Sequence, residues 1–442
     1  MYFVYSLLTF VLFVLVSPYF LYQAIRYKKY IGSLRQRLGF LPLTFNLDGE
    51  ESIWIHSVSV GETLTTRALT ADLKTRYPHL RLFLSTTTMS GQQVARQNQH
   101  VDGVFYFPFD WAVAVRRTLN LVKPRVFIML DTEIWPNVLR MCRRRGVKTV
   151  LINGRISSRS YPRYRLIRPF FKRVLADVDR FCMQSEESAR RLVDLGADPA
   201  RVTMTGNLKF DSLELPIASH ARPRERVLRF FRLSPNRPVL VAGSTMRGEE
   251  ESVLRAFRRL KILLPHALAI LAPRRPERFG EVERLAKDAD FVTMRRSQLP
   301  IDAEPRADVA ILDSIGELAQ IYQLATAVFV GGSLIDHGGH NILEPAIFGK
   351  PIVFGPHMQN FREIADTFLA NDAAVQVQSE PDLADALRSL LTDPVRRARL
   401  GAAARALVEA NRGAKEKTLG VIAELVPSPA NRAVVRPFRL VN

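Results

Sequence analysis

Eleven short apolar runs of strand character alternate with helix-like segments, and this alternation constrains the fold more than any single motif. The first six are Ser52–His56, Leu80–Ser85, Gly103–Phe107, Val126–Leu130, Lys148–Ile152 and Arg180–Met183. Five more follow at Val239–Ala242, Ala267–Ala272, Val309–Leu312, Ala327–Val330 and Ile352–Phe354. Helix-like stretches such as Glu62–Arg76, Trp111–Leu121 and Ile134–Arg145 separate them. Strand–helix–strand alternation builds a parallel sheet with helices on both faces. From Ser212 to Pro238 the pattern breaks into prolines and a basic helix. The prediction is two α/β domains, 26–211 and 237–426, joined by a linker over 212–236, with a basic tail over 427–442 carrying Arg432, Arg436 and Arg439. A chain of 442 residues is long enough for both, and 47% hydrophobic content excludes general disorder.

The N-terminus carries its own signal. Met1 to Ala24 holds no charged residue and is mostly Phe, Leu, Val and Tyr. Roughly 20 apolar residues span a bilayer. Arg26, Lys28, Lys29, Arg35 and Arg37 follow at once, and no small-residue cleavage site intervenes. Residues 1–25 are therefore expected to form a single transmembrane anchor rather than a signal peptide, with the rest of the chain on the cytoplasmic side. A buried core helix is the bland alternative; it would usually show a polar face. The chain carries 63 Lys and Arg against 43 Asp and Glu, a net charge of +20. That excess calls for an anionic partner: nucleic acid, anionic lipid or a phosphorylated substrate. Two cysteines, Cys142 and Cys182, make neither a disulfide framework nor a zinc site.

In open parallel sheets ligands bind beyond the carboxyl ends of the strands. In the first domain those ends lead into Ser57–Glu62 (SVSVGE), Asp131–Asn137 (DTEIWPN), Asn153–Arg155 and Gly206–Lys209. In the second they lead into Gly243-Ser244-Thr245, Pro273–Phe279 (PRRPERF), Asp313–Leu318 (DSIGEL) and the glycine run Gly331–Pro351. That run holds His337, Gly338, Gly339, His340, Asn341 and Glu344 before a short helix pattern over Ile342–Phe348. Glycine lets backbone amides approach an anion, Asn341 suits an N-cap, and Pro345 is tolerated in a first turn. A carboxylate such as Glu344 beside bound phosphate suits ribose hydroxyls, so the run reads as a nucleotide cradle; a tight turn with a capped helix is the plain alternative. Glu62 could simply favour a helix N-terminus, and Asp131 and Glu133 could be helix-start acids. Arg274, Arg275 and Arg278 could form a solvated face, though arginine at a sheet edge suits phosphate through its planar fork. Asp336, His337 and His340 lack a further carboxylate at ligand spacing, so no metal is expected. A cleft between the domains is the expected active site.

The motifs SVSVGE, DTEIWPN, NGRISSRS, GNLKFD, AGST with GEE, PRRPERF, DSIGEL and GGHNILEP stand in that order. In this the chain resembles the 3-deoxy-D-manno-octulosonic acid (Kdo) transferases of bacterial lipopolysaccharide synthesis, to about residue 425. Asp131, Arg275 and Met246 depart from that family, which commonly has Glu, His and His there. The resemblance implies a GT-B fold of two Rossmann-like domains behind the anchor, a CMP-Kdo donor, and inverting transfer to the 6'-hydroxyl of an anionic lipid A precursor at the inner membrane. It implies no cofactor. Glu62 would be the general base, and Glu133 would position the acceptor or support the base, with Ser59, Gly61 and Asp131 holding the acceptor. Lys209, Gly243, Ser244, Thr245, Arg274, Arg275, Ile315, Gly316, Glu317, Gly338, Gly339, His340, Asn341 and Glu344 would hold the donor. Two other readings stand beside it: a membrane-anchored GT-B transferase using a UDP-sugar, and a non-catalytic membrane-tethered nucleotide binder. Nucleic acid is not an expected partner, because no aromatic–basic RNA-binding motif or zinc finger is present.

Overall fold

The structure, a computed structural model, describes residues 1–27, 31–158, 160–211, 229–234 and 236–426, and for 19–27 and 31 the backbone alone. The chain divides into one unit of Met1–Ser212 with Arg412–Asn442 and another of Leu213–Asn411. Most of the expected linker and all of the basic tail lie outside the described residues.

The first unit is built on a parallel sheet of β1 (Ser52–Ser57), β2 (Arg81–Thr86), β3 (Gly103–Tyr106), β4 (Pro124–Leu130), β5 (Lys148–Gly154), β6 (Arg180–Met183) and β7 (Val202–Met204). Their order is β3-β2-β1-β4-β5-β6-β7. Alternate residues of β1 face opposite ways, as the two-residue strand period requires. Trp54 joins Phe83, Phe105 and Phe127 on one side, while Ile53 and Ile55 join Val126, Ile128 and Val150 on the other. Both faces are apolar because helices cover both.

The second unit repeats the architecture with β8 (Val239–Thr245), β9 (Leu268–Pro273), β10 (Thr293–Arg295), β11 (Val309–Ile311), β12 (Ala327–Val330), β13 (Ile352–Phe354) and β14 (Val375–Gln376). Their order is β10-β11-β9-β8-β12-β13-β14, again with parallel neighbours. The eleven predicted runs all form strands. Three strands of two or three residues, β7, β10 and β14, have no apolar run to announce them.

One predicted boundary is corrected. The last helix, Ala414–Leu425, was expected in the second domain, but its Ala414, Leu419 and Ile422 pack in the cluster of Ile53 and Val126. The Asp211 carboxylate also accepts the amides of Gly413 and Lys415 at 2.9 and 2.7 Å. The helix closes a face of the first sheet and so belongs to the first unit.

A helix runs from Tyr2 to Tyr27 straight through Pro18. It docks on the first unit. The Tyr2 hydroxyl donates to Asp177 at 2.6 Å, Asn137 donates to the Ser6 hydroxyl at 2.9 Å, and Phe13 meets Phe109 and Trp111 edge-on. Phe3, Leu8, Leu12 and Leu15 are exposed on its other side. Among the described residues no helix is long and apolar enough to cross a membrane. The expected span continues into residues whose side chains are not described, and Lys28 and Lys29 lie outside the described residues.

Candidate active site

Each sheet has a switch point, where neighbouring strands send their crossovers to opposite sides and leave a crevice at their carboxyl ends. In the first unit it lies between β1 and β4. Glu62 follows β1; Asp131 and Glu133 follow β4. In the second it lies between β8 and β12, which lead into Gly243–Thr245 and the glycine run.

Glu62 sits in the first turn of the helix Val60–Arg76. The Ser59 hydroxyl is the N-cap, receiving the Glu62 amide at 3.4 Å and donating to Glu62 Oε1 at 2.8 Å, while the Val58 amide donates to Oε2 at 2.7 Å. The Glu62 carboxylate thus helps to hold the start of the helix, so part of what Glu62 does is structural. Each carboxylate oxygen still keeps lone-pair capacity for a substrate proton. Burial raises its pKa, and the charge of Asp131 raises it further, against the hydrogen bonds of Val58 and Ser59. Gly61 faces open space beside it.

Glu133 is pushed up to about 7, first by burial, then by the Glu62 charge, against a 3.0 Å hydrogen bond from Trp135 Nε1. Its Oε2 lies 3.8 Å from Nε2 of His56. His56 is the penultimate residue of the fully buried β1, with its Nδ1 3.1 Å from the Ser85 carbonyl and its ring stacked on Phe107. Burial holds the imidazole down to about 3, so it is neutral. Asp131 has a left-handed backbone, φ 55°, and accepts from Asn153 Nδ2 at 2.7 Å. Burial raises its pKa, while Asn153, Lys209 and Arg155 oppose that. Asn153 also accepts the Leu208 amide at 2.9 Å, which ties the Lys209 loop to the cluster. Three carboxylates with raised pKa values at one switch point make this a candidate functional site. Lys209, expected with the donor groups, belongs to this first-unit cluster. Asp131 and Glu133 precede the next helix, which starts at Pro136, so the helix-start explanation does not hold for them.

Glu133 takes up its proton at higher pH when folded than when unfolded. Its contribution to stability is therefore full below the ordinary glutamate range and is lost as pH rises through about 7. Glu133→Gln should lose less melting temperature than the parent between about pH 5 and about pH 8. Equal slopes in thermal scans would show that another group carries the dependence.

In the second unit the opening of the glycine run is already occupied. Glu249 Oε2 accepts the amides of Met246 and Gly332 at 2.9 and 2.6 Å, and Oε1 accepts those of Ser333 and Leu334, both at 2.9 Å. The Gly339 amide goes to the Gly332 carbonyl at 2.7 Å, which corrects its expected part in an anion cradle. Glycine is required at Gly331, where a Cβ would lie 2.6 Å from the Ser244 carbonyl oxygen, and at Gly338, which has φ 91°. The short helix spans only Leu343–Ala346; Asn341 Oδ1 accepts the Leu343 amide at 3.1 Å, and its Nδ2 donates to Glu344 at 3.3 Å. Burial raises the pKa of Glu344, opposed by Asn341 and by the Arg274 charge. His340 is held down to about 4 by burial, then Arg274 and His337, and its buried Nε2 has no hydrogen-bond partner among the described residues. Arg274, His340 and Glu344 thus form one electrostatic group.

Other expected donor residues stand apart from that group. Arg275 is exposed and lies 3.9 Å from Glu277, so its expected phosphate role is not supported by its placement. Ile315 is exposed beside Gly316, and the Glu317 carboxylate accepts from Arg296 at 2.7 Å. Arg278 is buried and forks onto Glu250 at 2.7 and 3.2 Å, a structural pair. Ser244 takes a left-handed backbone at φ 56°, and Gly243 admits the Tyr322 hydroxyl against β8. Among the described residues, no group of His, Cys, Asp and Glu is arranged to hold a metal. Sequence reasoning gave no role to His56 or Glu249. A histidine inside an apolar strand and an acid directly after Gly248 were the available signals.

Residues 32–212 match the family model described as 3-deoxy-D-manno-octulosonic-acid transferase (kdotransferase), and residues 298–407 match glycosyl transferases group 1. The 3-deoxy-D-manno-octulosonic acid transferase of Haemophilus influenzae is 33% identical over 402 residues, covering 90% of this chain and 92% of that protein. The chain belongs to the Kdo transferase family. The Bordetella pertussis transferase is 32% identical, covering 84% of this chain and 86% of its own. The structure of UDP-GlcNAc 2-epimerase from Neisseria meningitidis superposes with TM-score 0.58 over 85% of this chain and 100% of that one, at 13% identity. That likeness concerns the fold alone, two Rossmann-like domains of GT-B type. The transferase is a glycosyltransferase enzyme whose first family match contains Glu62, Asp131, Glu133 and Lys209, and whose second contains the glycine run.

Proposed function

We propose that the transferase moves Kdo from CMP-Kdo to the 6'-hydroxyl of a lipid A precursor, with inversion at the anomeric carbon. The observation that carries this is Glu62: a carboxylate of raised pKa at the β1/β4 switch point, in a Kdo transferase. An acceptor hydroxyl is a poor nucleophile until its proton is removed. Glu62 takes that proton as the oxygen bonds to the anomeric carbon. The bond to CMP breaks on the opposite face, and its electron pair leaves on the phosphate, in the manner of inverting glycosyl transfer to water. Glu133, protonated over part of the neutral range, donates to an acceptor oxygen. Ser59, Gly61 and Asp131 border the acceptor, and Lys209 offsets the charge of the acids.

On the donor side Arg274 stabilises the phosphate as it gains charge, and Glu344 holds the ribose. Ser244, Thr245, Gly338, His340 and Asn341 line the donor. Arg274→Ala should weaken CMP-Kdo use by about 10- to 100-fold, the loss of one charge-assisted contact of about 1.5–3 kcal/mol. His340 should also titrate above its present value of about 4, because that cation helps depress it. Unchanged donor kinetics with an unchanged histidine titration would remove Arg274 from the site.

The enzyme works at the cytoplasmic face of the bacterial inner membrane, where the N-terminal helix, docked on the first unit through Tyr2, Ser6 and Phe13, lies against the bilayer with its exposed side. The exposed apolar side of the helix Tyr2–Tyr27 and the cations that follow support this reading. The excess of 20 positive charges suits an acceptor that bears phosphates.

The test is mass spectrometry of a tetra-acylated lipid A precursor incubated with the full chain in detergent and CMP-Kdo formed in place. A gain of one or more Kdo masses is expected. No gain, with donor intact and a known transferase active alongside, would overturn the acceptor. Thermal protection by UDP rather than CMP would overturn the donor.

A further inference from the structure

Beside Glu133 the first unit holds a groove of about 360 Å³, lined by Tyr5, Trp135, Ile167, Phe170 and Phe171, with Glu133 at one end. Its size is within the roughly 300–1,000 Å³ of small-molecule sites. Except for Glu133 and Thr132 the lining is apolar or aromatic. Trp135 joins groove and site directly, since its indole donates to Glu133. The other wall comes from the N-terminal helix, where Tyr5 stacks on Phe170 with ring centroids 5.8 Å apart. Leu8 and Leu12 follow Tyr5 on the same flank of that helix, three and seven residues on, and are 63% and 60% exposed. The helices Tyr161–Leu166 and Arg168–Leu175 carry exposed Leu166, Ile167, Arg163, Arg165, Arg168, Lys172 and Arg173. The groove's lining therefore includes an acid of the candidate active site, and the helices that wall it carry basic side chains on one hand and the exposed Leu8 and Leu12 on the other.

We infer that this groove holds one acyl chain of the acceptor lipid. The inference rests on the acceptor reading above and assigns the chain its place. The basic side chains complement an anionic, phosphorylated headgroup, and the apolar groove takes the chain attached to it. The reacting hydroxyl is then positioned against Glu62 and Glu133 by burial of a chain that does not react. Binding energy from a remote part of the substrate orients the reacting centre in this way.

Ile167 is 48% exposed at the groove, so Ile167→Trp narrows it with little demand on the core. With saturating CMP-Kdo, the variant is compared on the tetra-acylated acceptor and on the same bisphosphorylated disaccharide stripped of acyl chains. Displacing about two methylenes should lower kcat/KM for the acylated acceptor about tenfold and leave that for the stripped one unchanged. An unchanged kcat/KM for the acylated acceptor, or an equal fall for both, would overturn the assignment. A second measurement reads the groove without any transfer. Dodecyl phosphate with a terminal diazirine should label Tyr5, Phe170 or Phe171, and the tetra-acylated acceptor should displace it where the stripped disaccharide does not. Labels confined to Leu8 and Leu15, or groove labels that the acylated acceptor leaves in place, would make this a surface for bilayer lipid and overturn the inference. If no sugar moves to any lipid while the groove labels and competes as expected, the reaction fails and the chain site stands.

Discussion

Glu62→Gln is expected to transfer Kdo about 10²- to 10⁴-fold more slowly than the parent, the range for removal of a general base. The amide is the informative replacement because Glu62 has two jobs. Its carboxylate accepts the Val58 amide and the Ser59 hydroxyl at the helix start. Glutamine can keep that arrangement: its carbonyl oxygen accepts from the Val58 amide, and its NH₂ donates to the Ser59 hydroxyl. It cannot take a proton. Thermal stability of Glu62→Gln should therefore stay near that of the parent, whereas Glu62→Ala loses the cap as well, at a cost of about 1 kcal/mol. A slow enzyme of normal stability identifies the base. A Gln variant at parental rate removes Glu62 from that role, and a rate that falls only in step with stability leaves it the cap alone. The Gln variant should also lower the pKa of Glu133, which the Glu62 charge helps to raise. The loss of stability on raising pH would then be smaller and end at lower pH.

Much of this architecture is legible in the amino-acid order, for a physical reason. Strands of a sheet covered on both faces read as continuous apolar runs, and their carboxyl ends must be polar where they meet ligand or water. Glu62, Asp131, Glu133 and the glycine run follow from that reading. What escapes it depends on partners distant in sequence. His56 looks like an interruption in an apolar strand until β2 supplies Ser85 and the turn after β4 supplies Glu133. The strands β7, β10 and β14 are too short to show a period, and β7 and β14 carry no fully buried residue. The helix Ala414–Leu425 has an apolar face whose pattern cannot say which of two similar sheets it covers. Arg278 and Arg275 stand three residues apart in one motif, yet one is buried on Glu250 and the other is exposed. Only the packing of the helix that carries Glu250 separates them.

Glu249→Ala is expected to destabilise the second unit by about 3 kcal/mol or more, because buried amides left without an acceptor cost about 1–3 kcal/mol each. Glu249 is fully buried and gathers four amides, those of Met246, Gly332, Ser333 and Leu334, from loops after β8 and β12. To the sequence it is one of three acids opening a helix, where favourable placement in the dipole field would be worth only about 0.3–1 kcal/mol. The contacts require much more. Glu249→Gln is nearly as damaging, since one of its two ends becomes a donor facing two donors. Thermal unfolding checks the size of the effect. Limited proteolysis checks its place, with cuts expected at the glycine run while fragments of the first unit survive. A Glu249→Ala protein with parental melting temperature and an uncut run would show that water replaces the carboxylate at little cost. The same four bonds bear on donor recognition. The amides that open a glycine run after a strand are the usual seat of a phosphate, and here a side-chain carboxylate fills that seat. On the donor reading proposed above, the phosphate is met further along, where Arg274 supplies positive charge and the buried Nε2 of His340 has no partner among the described residues. Loss of donor use in Arg274→Ala with the fold intact, beside loss of the fold itself in Glu249→Ala, is the pair of results this division of labour requires.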